Sequence, residues 1–158
     1  MTVRLALAVI LLLACVAAVS AGNLKPLKPG PGDKCPVCGM FVSKYPDFAA
    51  QIRFKDGTTA FFDGAKDMFA YYHGLARYNP RKKQSDVAVV FVTGYYALAP
   101  IDGRLAWYVT GSDVNGPMGH ELVPFATEAE AREFSRDHKG KQILRFNQIT
   151  PATLKGME

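Results

Sequence analysis

The chain has 158 residues, and its 19 Lys and Arg against 14 Asp and Glu give a formal net charge of +5. Hydrophobic residues make up 49% and charged residues 21%, so the composition excludes an intrinsically disordered chain. Three cysteines are too few for a disulfide-dense scaffold, and the mildly basic charge is not evidence for nucleic-acid binding. The length fits one domain with a modest core.

The first 21 residues have the composition of an export leader. Arg4 is the only charged residue among the first 24, and an almost wholly apolar run follows it over residues 5–19. This run is shorter than the ~20 apolar residues of a transmembrane helix and is typical of a secretory signal peptide. The sequence Leu-Leu-Ala-Cys resembles a bacterial lipobox and favours cleavage before a lipid-bearing Cys15; cleavage after Ala21, which would remove Cys15, stays open. Both place the mature chain outside the cytoplasm, where thiols face oxidation.

Three further regions follow the leader. Residues 22–34 are predicted to form a flexible tether, because their Pro, Gly and Lys content allows no packed element. A globular domain is predicted over residues 35–150. Residues 151–158 are predicted to be a short tail.

The first half of the domain predicts two strands, a helix and a third strand. Strands are expected over residues 48–54 and 59–62, on either side of an Asp-Gly turn. A helix is expected over residues 64–72, with Asp63 as its N-cap. After a basic loop, the apolar, β-branched run over residues 87–92 predicts a central strand.

The second half predicts a similar order of elements. A strand over residues 105–109 precedes a Gly-rich stretch, residues 111–119, that is incompatible with long regular structure. An extended pattern follows over residues 120–125. The helix over residues 127–138 is the clearest in the chain, because Thr-x-x-Glu at its start forms a capping box. A last strand is expected over residues 143–146.

The two halves therefore share one pattern. Each has extended segments before a helix that ends near a His and a Gly, at His73 and at His138. The sequence predicts an α+β fold, with two similar ββαβ-type units and antiparallel sheet forming one compact domain.

The first candidate site is the loop Cys-Pro-Val-Cys-Gly-Met. Cys35 and Cys38 are three positions apart, so the two thiols can hold one metal ion or form a disulfide. Met40 adds a thioether. Thiolates and thioethers are soft donors that select Cu(I) over hard cations.

The second candidate site is the loop Gly-Pro-Met-Gly-His. Met118 and His120 are two positions apart, which places both side chains on one face of an extended segment. A thioether and an imidazole that converge on one point suit Cu(I). Soft donors in two Gly-rich loops of one short chain favour a shared metal site.

Two alternatives use the cysteines without the second loop. In a thiol-disulfide oxidoreductase, Cys35 and Cys38 would be the redox pair. In a structural docking module, the same pair would be a disulfide staple. Neither alternative gives a role to Met118 or His120.

The order of these motifs resembles the NosL family, the lipoproteins that accompany nitrous oxide reductase. The resemblance rests on the lipobox and tether, then Cys-Pro-Val-Cys-Gly-Met, then Gly-Ser-Asp-Val-Asn-Gly-Pro-Met-Gly-His, and then a helix that begins at Phe-Ala-Thr. It covers residues 15–149, nearly the whole chain. It implies a fold of two ββαβ-like units, Cu(I) binding, and a carrier and not an enzyme.

The resemblance also implies where the copper goes. It suggests copper delivery for maturation of nitrous oxide reductase, beside a membrane transporter complex, by a lipid-anchored protein that faces the periplasm and binds no nucleic acid. Carried over to this sequence, it implies Cys38, Met118 and His120 as copper ligands. Cys35 and Met40 are the nearby alternates.

Overall fold

The structure, a computed structural model, describes residues 24–157. Its strands are β1 (Ala50–Phe54), β2 (Thr59–Phe62), β3 (Val87–Gly94), β4 (Ala99–Asp102), β5 (Trp107–Thr110), β6 (Asn115–Gly116), β7 (Gly119–His120), β8 (Val123–Phe125) and β9 (Gln142–Arg145). Its α-helices are α1 (Ala65–His73), α2 (Leu75–Tyr78), α3 (Glu128–Asp137) and α4 (Pro151–Lys155). The predicted leader over residues 1–21, with Cys15, and the first two tether residues lie outside the described range.

The described chain folds into two similar units. The first is β1-β2-α1-β3, in an antiparallel sheet of order β2-β1-β3-β4. The second is β5-β8-α3-β9, in an antiparallel sheet of order β8-β5-β9. In each unit the first strand is central, and the helix connects the second strand to the third. The predicted α+β fold of two ββαβ-type units is therefore confirmed.

Apolar burial holds each helix on its sheet. In the first unit, Ile52 of β1 pairs with Val90 of β3, and both are fully buried with Phe69 of α1. In the second unit, Phe125 of β8 packs against Phe134 of α3, with ring centroids 4.8 Å apart. Buried aliphatic and aromatic side chains of this kind each stabilise a fold by about 1.5–3 kcal/mol relative to exposure.

The two helix starts differ in how they are capped. The Thr127 hydroxyl accepts a hydrogen bond from the Glu130 N–H, and the Glu130 carboxylate accepts one from the Thr127 N–H, so the predicted capping box is present. The prediction that Asp63 caps α1 is wrong. The N-cap position is Gly64, and the Asp63 carboxylate accepts a hydrogen bond from the Cys38 thiol instead.

Other elements also depart from the sequence analysis, among them helix α2 at the start of the expected basic loop. The Gly-rich stretch contains a short hairpin, in which β6 pairs with β7 and Asn115 lies opposite His120. Strand β4 was not predicted, because it contains a proline and its side chains are largely exposed. The predicted tail instead contains helix α4, which packs against α1, and Met157 is buried.

The part of the predicted tether that the structure describes lies against the first sheet. The side-chain amide of Gln51 accepts from the Leu27 N–H and donates to the Leu27 carbonyl, both at 2.9 Å. The Arg53 guanidinium donates to the Lys25 carbonyl at 2.8 Å. Within residues 24–157, no helix combines the length and apolar composition needed to cross a bilayer.

Candidate metal centre

The Cys-Pro-Val-Cys-Gly-Met loop is a tight turn closed by its own backbone. The Cys35 N–H donates to the Met40 carbonyl at 2.9 Å, and the Gly39 N–H donates to the Cys35 carbonyl at 2.8 Å. Gly39 has a φ of +81°, a left-handed conformation that glycine adopts without strain. The turn buries Cys35 completely and leaves Cys38 half-buried.

Two aspartates face this turn from the junction between β2 and α1. Asp63 directly follows β2, and Asp67 lies in the first turn of α1. Their spacing of four residues places them on the same side of the helix start. Both carboxylates are buried, with 1% exposure for Asp63 and 8% for Asp67.

Each thiol is paired with a carboxylate. The Cys38 Sγ donates to Asp63 Oδ1 at 3.1 Å, and the Cys35 Sγ donates to Asp67 Oδ2 at 3.3 Å. One ligand atom from each of the four side chains lies within 4.8 Å of the other three. We call Cys35, Cys38, Asp63 and Asp67 the Cys–Asp cluster. Four donor atoms this close together could hold one metal ion.

Asp63 carries an oxygen that the described residues leave without a hydrogen bond. Its Oδ2 atom is fully buried and has no donor within the described chain. Buried carboxylate oxygens nearly always have a hydrogen-bond donor or a cation as a partner. The unpaired oxygen therefore marks the cluster as a place where a cation would be stabilised.

The surroundings keep both thiols protonated at neutral pH. Burial, with a smaller contribution from the neighbouring Asp63 carboxylate, raises the pKa of Cys35 to about 12, although backbone hydrogen bonds lower it. Burial, with Asp67 and Asp63, also raises the pKa of Cys38 well above its ordinary value. A nucleophilic redox cysteine needs the opposite shift, toward a thiolate at neutral pH.

These observations disfavour the two alternatives that depend on the cysteines alone. Cys35 and Cys38 are free thiols, so the structure shows no disulfide staple. They also lie in a turn and not at the N-terminus of a helix, where a thioredoxin-like pair would gain a lowered pKa.

The second candidate loop forms the hairpin of residues 115–120, which we call the Met–His hairpin. It lies against the start of α1, where the Lys66 ammonium donates to the Met118 carbonyl at 2.9 Å. The Met118 side chain is 47% exposed. His120 is exposed on the wall of a cavity of about 560 Å³ that Lys141 and Thr150 also line.

Glu121 follows the hairpin and is buried. Its carboxylate accepts from the Lys66 N–H at 2.6 Å and from the Leu122 N–H at 2.8 Å. Burial raises the pKa of Glu121 to about 7, although both backbone donors lower it. The start of α1 thus contacts the Met–His hairpin and also carries the two aspartates of the cluster.

The structure brings some predicted site residues together and leaves others apart. Cys35 and Cys38 share the cluster, and Met40 is half-buried beside them through its backbone bond to Cys35. The hairpin's His120 is not part of the four-residue group. Copper ligation by Cys35, Cys38, Met40, Met118 and His120 stays a prediction.

Sequence reasoning missed Asp63 and Asp67 as site residues. The signal was present as two aspartates four residues apart across a strand-to-helix boundary. That spacing gives both carboxylates the same orientation. Pairing them with the cysteines required knowing that the Cys turn folds onto this junction.

Comparison with known proteins decides the family. The matching family model is NosL, over residues 26–154. The chain belongs to the NosL family. It is 30% identical over 146 residues to the copper-binding lipoprotein NosL of Stutzerimonas stutzeri, which covers 84% of this chain and 70% of that protein. The crystal structure of the copper chaperone NosL from Shewanella denitrificans matches with a TM-score of 0.68 and 26% identity, over 82% of this chain and 98% of that chain.

These matches confirm the resemblance that the motifs indicated. The match to the Shewanella denitrificans structure extends over nearly all of that chain, so the arrangement of the two units is that of a NosL fold. The relatives are a copper-binding lipoprotein and a copper chaperone, and not enzymes. The prediction that this chain is not an enzyme is confirmed.

Replacing Asp63 by Asn should make the thiols more reactive. The change removes a negative charge that disfavours the thiolates, so the pKa of both thiols falls. In reduced, metal-free protein, alkylation by iodoacetamide at fixed pH should become faster by about tenfold for each unit of that fall. Asp113→Asn is the matched control, because Asp113 bonds His138 and not a thiol. Equal alkylation rates in the unmodified protein, Asp63→Asn and Asp113→Asn would show that the hydrogen bond between Cys38 and Asp63 is absent.

Proposed function

We propose that this chain is an extracytoplasmic metallochaperone that binds Cu(I) and passes it to a copper-requiring client. The observation that carries the proposal is the Cys–Asp cluster, in which two thiols and two carboxylates have ligand atoms within 4.8 Å of one another. The hairpin that bears Met118 and His120 contacts the start of α1 through Lys66. A relative named as a copper-binding lipoprotein and another named as a copper chaperone support copper as the cargo.

Charge favours a single thiolate in the copper site. Two carboxylates already place negative charge within 4.8 Å of both sulfur atoms, and a like charge nearby disfavours further ionisation. One thiolate balances the charge of Cu(I), whereas a second would add a further negative charge beside the two carboxylates. Cys38 is the half-buried thiol and is the one that an entering ion meets first.

Neutral soft donors complete such a site without adding charge. Thioether sulfur and imidazole nitrogen both bind Cu(I), and both are uncharged. We assign these roles to Met118 and His120, with Cys38 as the thiolate. Cys35 and Met40 are alternates from the same turn. Asp67 then still accepts a hydrogen bond from the protonated Cys35 thiol, whereas Asp63 loses its thiol donor when Cys38 ionises.

The carrier role follows from where the donors lie. Met118 is exposed and Cys38 is half-buried, so a partner can present its own sulfur or nitrogen ligands to the ion. Copper moves by exchange of ligands within a shared coordination sphere and is never released as a free ion. No bond of a substrate is made or broken, so the chain acts without catalysis.

Location and partners complete the proposal. Export and lipidation at Cys15 would hold the chain on a bacterial membrane, facing the periplasm, and the related copper-binding lipoprotein supports this anchoring. We propose nitrous oxide reductase as the client and a membrane transporter complex as the neighbouring partner. Both rest on the family resemblance.

The double variant Met118→Leu, His120→Ala tests the contribution of the hairpin. Loss of two neutral ligands should weaken Cu(I) binding by about tenfold or more, measured by competition with bathocuproine disulfonate under anaerobic, reducing conditions. His138→Ala, which removes an imidazole outside the site, should bind like the unmodified protein. An unchanged affinity in the double variant would exclude a two-loop site.

The pH dependence of Cu(I) affinity shows how many thiol protons the ion displaces when it binds. Both thiols are protonated below their raised pKa, so the ion must displace a proton from each thiol that it binds. Competition from protons weakens as pH rises, and affinity should increase by about tenfold per pH unit for one displaced proton. A hundredfold increase would indicate two thiolates, contrary to the charge argument. A flat profile would contradict thiolate ligation.

A further inference from the structure

Glu121 joins the Met–His hairpin to helix α1. Its carboxylate, on a residue that is 4% exposed, accepts a 2.6 Å hydrogen bond from the Lys66 N–H, and the two residues are 55 positions apart. The same oxygen accepts a 2.8 Å bond from the Leu122 N–H. One buried side chain therefore binds backbone groups on both sides of the junction.

Two glycines make room for this carboxylate. A Cβ atom on Gly64 would lie 2.1 Å from Oε2 of Glu121, and a Cβ on Gly116 would lie 2.8 Å from the same atom. Real Cβ atoms do not approach other atoms that closely. The helix start and the hairpin each lack a side chain where Glu121 fits.

Capping α1 does not by itself require a distant residue. Gly64 has extended backbone that any residue adopts, and Ser, Thr or Asp at that position would cap the helix locally. The Glu121 carboxylate is instead buried against the helix, and burying a charged group is unfavourable because the group loses its hydration. Unlike a cap at position 64, Glu121 also links α1 to the hairpin.

The hairpin needs such a link because it has little support of its own. Its strands are two residues each, and isolated two-stranded hairpins are marginally stable in water. The contact from Lys66 to the Met118 carbonyl is exposed and contributes little on its own. Glu121 is the buried contact next to His120.

We propose that Glu121 is a positioning residue for copper binding. It fixes the Met–His hairpin on the start of α1 and so sets the separation between Met118 and His120 on one side and the Cys–Asp cluster on the other. The proposal rests on the proposed function, in which both sides supply copper ligands. Glu121 itself is not a ligand in this account.

The key variant separates capping from positioning. Glu121→Ala combined with Gly64→Ser removes the link and restores a local cap, because the atoms closest to the Cβ position of Gly64 all belong to Glu121. Glu121→Gln keeps an oxygen that can accept both backbone bonds. Glu121→Asp is a further variant, since it keeps the charge but falls short of Lys66 by about one carbon–carbon bond, ~1.5 Å.

Two readouts are taken on each full-length variant. In reduced, metal-free protein, amide hydrogen exchange over residues 115–120 should speed up in the Ala/Ser and Asp variants and stay unchanged in the Gln variant. Cu(I) affinity by competition with bathocuproine disulfonate should fall by about tenfold in the first two and stay near that of the unmodified protein in the third. Urea unfolding should show that the Ala/Ser variant regains the stability lost in Glu121→Ala alone.

The outcomes separate this proposal from the proposed function. Unchanged hairpin exchange in the Ala/Ser and Asp variants would overturn the positioning role whether or not copper binds. Faster exchange with unchanged copper affinity would also overturn it. Faster exchange in a chain whose unmodified form binds no Cu(I) would support the link and contradict the proposed function. If the Ala/Ser variant does not fold, the Asp variant decides by the same readouts.

Discussion

Two thiol–carboxylate hydrogen bonds organise the candidate metal centre of this domain. The Cys turn is closed by its own backbone, but it is held against the β2–α1 junction by the pairs Cys38–Asp63 and Cys35–Asp67. Without the thiol protons, two buried carboxylates would face two sulfur anions at distances under 5 Å, which low local dielectric makes unfavourable. The metal-free state therefore keeps its protons, and a cation that replaces one of them also meets the unpaired oxygen of Asp63. In the proposed function, this exchange of a proton for an ion is the physical basis of reversible copper loading.

In the proposed function, the two ββαβ units contribute different parts of the copper site. In the first unit, β1 and β2 are joined by a tight turn at Gly57, and the strand-to-helix junction carries the aspartates. In the second unit, the Met–His hairpin is inserted between β5 and β8, the equivalent strands. The insertion reaches across to the first unit and contacts α1 through Lys66 and Glu121. The first unit thus carries the two aspartates of the Cys–Asp cluster, and the second unit carries the exposed Met118.

Local signals predicted the fold well and the site less completely. The β-branched run of β3 and the capping box at Thr127 depend on neighbouring residues, and both are present in the structure. Asp63 was misassigned because an aspartate before a helix has the same local signature whether it caps that helix or accepts a bond from a distant thiol. No local sequence pattern indicated the role of Glu121, because its hydrogen-bond partner, Lys66, is 55 residues away. Helix α4 is preceded by Thr150 as its N-cap and begins at Pro151, which is a typical helix start. This pattern was overlooked because the C-terminal segment is short and polar.

The most direct test of the account is X-ray absorption at the copper edge of the full chain, loaded with Cu(I) under anaerobic, reducing conditions. The account predicts a monovalent ion bound by one thiolate sulfur, one thioether sulfur and one imidazole nitrogen. A copper ion bound by two thiolates, or one that shows no imidazole signal, would contradict it. A chain that takes up only divalent metal, such as zinc, would contradict it equally.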